Sequence, residues 1–154
     1  MRETQATIAA YAREYSELRG ALPFEIAVDL NATVAALLAA QVDLPGSLKA
    51  SVIAADAAII GCLLATQLET VVVLDMPAGT RELTVTELAL YLQRDVAGIL
   101  FPMRHRDDHQ VARALPAIFS LLRAVSLGLG TPLDVALDAR MAALRAPEQP
   151  SKTG

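Results

Sequence analysis

Apolar residues recur along this chain at the three- and four-residue spacing of helix faces far more often than at alternate positions. Ile8, Tyr11, Tyr15 and Leu18 mark a first stripe over residues 4–19, with Gly20 placed to stop it. Its opposite face carries Arg13, Glu14 and Glu17. The Glu14-x-x-Glu17 spacing could face a divalent cation, but Arg13 stands four residues before Glu17, and an ordinary solvated ion-pair face explains the pattern. Pro23 suits the first position of a second helix, where a missing N–H costs nothing, and a stripe from Ile26 through Leu30, Val34, Leu37, Leu38 and Gln41 carries it to about Val42. Glu25 and Asp29 lie in its early turns, where carboxylates complement the helix dipole.

After the break Asp43-Leu44-Pro45-Gly46, the segment 47–68 is apolar on both faces. Val52, Ile53, Ile59, Ile60, Leu63 and Leu64 fall on one side; Ser47, Ser51, Ala54, Ala58, Gly61, Cys62 and Ala65 fall on the other. A helix without a polar side is enclosed all round, so this is the expected central helix, its small face receiving a neighbour at close range. Asp56 interrupts the large face and is the buried polar candidate of the chain. A carboxylate there needs a partner, expected to be an arginine or histidine from another segment, such as the arginines at 104–106.

The β-branched run 70–74, the turn-forming residues 75–80 and the run 81–85 suggest one short hairpin over about 70–85; the rival reading extends the central helix to about Leu74. Thr84-x-x-Glu87 is a capping box that opens a helix expected to end before Pro102. Val111, Leu115, Ile118, Leu122 and Val125 define the next helix, which Pro116 should kink or divide. Gly128 and Gly130 end it, Thr131 and Pro132 start the last one, and Leu133, Leu137, Met141 and Leu144 form its buried stripe. The expected fold is therefore mainly all-α: a single domain over 1–145, with five to six helices bundled around the central one and a polar, disordered tail at 146–154.

Hydrophobic residues make up 54% of the chain but aromatics only 4%, so the apolar mass is small and aliphatic and part of it is expected in a contact between copies, a homodimer at its simplest. A net charge of −4 offers no electrostatic footprint for nucleic acid. Asp56, Gln67 and Glu69 break the most apolar stretch, and with no signal-like N-terminus this implies a cytoplasmic protein with no membrane span. A lone Cys62 inside that stretch reads as a small buried side chain.

Candidate chemistry concentrates in Arg104-His105-Arg106-Asp107-Asp108-His109-Gln110. His105, Asp108 and His109 are the candidate ligands for a divalent metal, and Arg104 and Arg106 the candidate anion-binding pair at a helix start. Asp107 followed by Gln110 reads equally as a helix cap, which leaves His105 outside the helix and His109 inside its first turn. No residue pattern of a nucleophile or a phosphate-cradling loop is present, and no cofactor is implied. The segment 112–144, ending LLRAVSLGLGTPLDVALDARMAAL, resembles the last two helices of the MazG-like all-α nucleotide pyrophosphohydrolases. That resemblance implies magnesium-assisted hydrolysis of a nucleotide. Yet where that family carries an acidic Glu-x-x-Asp pair this chain has Arg113, Ala114, Leu115, Pro116 and Ala117, and its central helix offers Asp56 alone. The expected function is a non-catalytic, self-associating protein-interaction or assembly module. The alternatives are a helical-bundle enzyme or ligand-binding protein with its site near Asp56 and 104–109, and an assembly factor that pairs its hairpin edge with a partner's sheet.

Overall fold

The computed structural model describes residues 3–75 and 82–146. Among them lie seven helices and no strand: α1 (Gln5–Tyr15), α2 (Pro23–Asp43), α3 (Leu48–Gln67), α4 (Val85–Ala97), α5 (Leu100–Arg104), α6 (Asp108–Gly128) and α7 (Leu133–Arg145). The protein is an all-α helical bundle. Helix α3 is its hub, packed by α1, α2, α6 and α7, while α4 and α5 complete the bundle against α2 and α6.

Local chemistry sets most boundaries. Thr4 caps α1, Ser47 caps α3, Thr84 with Glu87 forms the expected capping box of α4, and Asp107 accepts from the Gln110 N–H at the start of α6. Gln41, the one polar member of the α2 stripe, is buried because its Oε1 accepts from the Gly46 N–H and so fixes the α2–α3 turn. The segment 100–104 departs from expectation. Pro102, expected to follow a finished helix, sits inside the short α5, at its third residue, where no intrahelical donor is required of it. Pro116 likewise does not divide α6, which is helical on both sides of it.

Neither expectation for the residues after α3 holds. The helix ends at Gln67 because Glu69 adopts a left-handed conformation (φ 55°) and the Thr70 N–H turns back to the Ala65 carbonyl at 2.9 Å, a Schellman-type closure. The described flanks of the expected hairpin form no ladder, and its turn at 76–81 lies outside the described residues. Gln5 of α1 takes the place of a partner strand. Its amide donates to the Thr66 hydroxyl and the Thr70 carbonyl, and its Oε1 accepts from the Val72 N–H at 2.9 Å. The expected tail lies outside the described residues apart from Ala146.

Half of the expectation for the central helix holds. Residues 57–65 are all buried, and the small face is met closely: a methyl group built on Gly61 would lie 2.7 Å from the ring of the fully buried Phe119 in α6. The first half of α3 is not enclosed. Leu48 and Lys49 are exposed, and Ser51, Val52, Ile53 and Asp56 are only half-buried, so the large-residue face opens to solvent there.

The expectation of a cytoplasmic chain with no membrane span is overturned. Helices Pro23–Asp43, Leu48–Gln67 and Asp108–Gly128 are each long and apolar enough to cross a membrane, with mean hydropathies of 1.4, 1.9 and 1.4. Two of the polar residues thought to interrupt the apolar run, Gln67 and Glu69, fall at the end of α3 or beyond it, and the third, Asp56, is neutralised by a partner. A helix of about 20 residues spans about 30 Å, the thickness of a bilayer core.

Candidate functional site

The face of α3 that begins in its half-buried first half and runs on into the buried core forms the floor of a groove of about 630 Å³, within the volume range of ligand clefts. Ile53, Asp56, Ile59 and Ile60 follow one another at helical spacing along that floor. One wall is α2, which presents Asp29, Ala32, Thr33 and Ala36, also one helical face. The other is α1 with Tyr11, Ala12 and Tyr15, joined by Arg140 and Leu144 of α7. The α1–α7 wall is tied together by the Tyr11 hydroxyl donating to the Leu144 carbonyl at 3.3 Å and by an Arg145–Glu3 ion pair. The α2 wall presents mostly short side chains, Ala32, Thr33 and Ala36, to the cleft.

Two charged features break this apolar surface. Asp56 is held by Arg140 through two hydrogen bonds, Nε to Oδ1 at 2.7 Å and Nη2 to Oδ2 at 3.3 Å, with each side chain about one-third exposed. The arginine expected to answer Asp56 therefore comes from α7 and not from 104–106. Asp29 is the second feature. Burial, and then the nearby Glu17 carboxylate, raise its carboxyl above the ordinary aspartate value. Among the described residues neither Asp29 nor Glu17 has an ion pair or a side-chain hydrogen bond. The expected Arg13–Glu17 contact is not formed: α1 stops at Tyr15, so Glu17 lies past the helix and off the Arg13 face. Glu17 instead reaches the mouth of the groove.

The cluster at 104–110 lies elsewhere, at the α5–α6 junction, and none of its residues lines the groove. His105 ends α5 with its ring 4.3 Å from that of Phe101, and His109 stands in the first turn of α6. Asp108 is the first residue of α6, beside the capping Asp107. Arg104 and Arg106 are exposed, Arg106 with a left-handed backbone (φ 57°). Among the described residues no group of three His, Cys, Asp or Glu side chains is placed to hold a metal ion, and Glu17, Asp29 and Asp56 line one groove without forming such a group. Cys62 is buried, and burial pushes its thiol up to about 12.

Sequence reasoning placed the groove floor in the core, which holds for Ile59 and Ile60 but not for the half-buried Ile53 and Asp56, and it missed the walls. The usable signal was Arg140, a basic residue set between Leu137 and Leu144 on the apolar stripe of α7, as Asp56 is set on that of α3. Two opposite charges, each alone on an apolar face, are natural partners. No family model, curated protein or solved structure matches this chain.

Proposed function

We propose that this chain is a non-catalytic helical interaction module that receives an apolar segment of a protein partner in the groove over α3. The observation that carries this reading is the cleft over α3: half-buried Ile53, with buried Ile59 and Ile60 beyond it, lies between short side chains of α2 on one side and Tyr11, Tyr15 and Leu144 on the other, with the Asp56–Arg140 pair locking the α7 wall in place. Such a cleft suits helix-in-groove recognition, in which apolar anchors at helical spacing fill a preformed channel. The one strongly hydrogen-bonded acid of the groove is fully engaged by arginine, which suits a structural role better than proton transfer.

A photo-crosslinking side chain placed at Ile53 tests the proposal in the cells that make this protein, with the same group at the highly exposed Val71, outside the groove, as control. Covalent protein adducts at position 53 and not at 71 are the expected result. Absence of adducts at 53, or equal yields at both positions, would overturn it.

A further inference from the structure

We infer that the occupant of the groove is a second copy of this chain, which inserts its α4–α5 stripe and seats Arg94 against Asp29 and Glu17. The inference rests on the reading of the groove as a protein-binding cleft and adds its partner and register.

The stripe is the chemical complement of the groove. Leu90, Tyr91 and Arg94 share one outward face of α4, and all three are exposed. Gly98 and Ile99 keep right-handed helical backbone between α4 and α5, so Phe101, two turns beyond Arg94, continues the same stripe and is 73% exposed. Three large apolar side chains and one guanidinium thus stand on the surface of two successive helices joined by a helical turn. Such a face is surplus apolar surface with one positive charge, and it matches a cleft that offers half-buried Ile53 and the exposed Tyr15 beside two carboxylates.

Charge decides the pairing. Within the groove Arg140 is committed to Asp56, and the surplus is the negative charge of Glu17 and Asp29. Arg94 is free to answer it. Its bond to the adjacent Asp95, 3.3 Å with the arginine side chain 69% exposed, is a surface pair of little strength, and its guanidinium already lies 4.8 Å from the Tyr91 ring centroid, so the two enter as one unit. Burial is the larger cause that raises Asp29 and Glu17 repulsion the smaller; an arginine placed between the two carboxylates offsets that repulsion and gives the buried carboxyl a partner. The stripe and the groove share no residue, so each copy can give one and receive the other, and reciprocal exchange closes a pair with two equal contacts.

Two charge-reversed chains test this by sedimentation velocity: Arg94→Glu, which spoils the stripe, and Glu17→Arg with Asp29→Arg, which spoils the groove. Alone, each is expected to self-associate at least about tenfold more weakly than wild type, equivalent to about 1.4 kcal/mol. Mixed one to one, they are expected to associate again, because both contacts then join opposite charges. Circular dichroism confirms that each chain is folded. If the groove variant does not fold, Arg94→Glu decides alone, since it changes an exposed side chain. A monomeric wild type, Arg94→Glu associating like wild type, or a mixture of folded variants that stays apart would overturn the inference. Crosslinks from Ile53 to a different protein, with wild type monomeric, would remove the second copy while leaving the groove's proposed role in place.

Discussion

Arg140 and Asp56 stand 84 residues apart in sequence, and their two hydrogen bonds join α7 to the central helix at the edge of the groove. With both side chains about two-thirds covered, removal of one partner strands the other in a poorly hydrated place. Arg140→Ala should therefore lower unfolding stability by about 1–3 kcal/mol in urea titration. Replacing both residues with leucine should recover most of that loss, because apolar substitutes carry no desolvation cost. A double variant as unstable as Arg140→Ala would show that the pair does more than satisfy itself.

Gly61 faces Phe119, and the two compete for the same space. Gly61→Ala gains about 1 kcal/mol of helix propensity but forces a methyl group into a fully buried ring, an overpacking that costs about 1–3 kcal/mol. The clash should win, lowering thermal stability. Phe119→Leu in the same chain should relieve it, leaving the double variant about 1 kcal/mol more stable than additivity requires.

Asp29 makes stability depend on pH in a definite sense. Its folded-state carboxyl is raised above 3.8, by burial first and Glu17 second, so the folded chain holds this proton more tightly than the unfolded one. The contribution to stability is full below 3.8 and is lost as pH rises through the raised folded value. At protein concentrations low enough to keep the chain monomeric, Asp29→Asn should be more stable than wild type at neutral pH, with the two chains converging at pH 3.8 and below; parallel urea midpoints across that range would refute it.

Cys62 should be chemically silent in the folded chain. With its thiol buried and raised to about 12, almost no thiolate exists at pH 8. Labelling by a disulfide reagent should proceed only as fast as the protein unfolds, and should become immediate in denaturant. Rapid labelling without denaturant would mean that the core around α3 opens readily.

Much of the bundle was legible because it is written locally. The Thr84 and Asp107 caps, the stripes of α2 and α6, that of α7 except for Leu144, which is exposed, and the small face of α3 follow from spacing alone. What was hidden depends on pairs of distant residues. Gln5 supplies the hydrogen bonds that β-branched residues 70–72 would otherwise seek in a strand, and no local pattern announces that. The wheel of α3 is apolar on both faces for most of its length, so it cannot report that α1 and α2 leave one face of its first half only partly covered. Glu17 stands at helical spacing from Arg13, and only the end of α1 at Tyr15, which no strong stop residue marks, takes it off that face.

The clasp of Gln5 gives the first helix a role out of proportion to its size. Its side chain binds both the end of α3 and the backbone that follows, while Ile8, Ala9 and Ala12 of the same helix are buried in the core. Trimming the chain back to Pro23 would thus strip one bank from the channel and unfasten a loop some sixty residues downstream in a single cut.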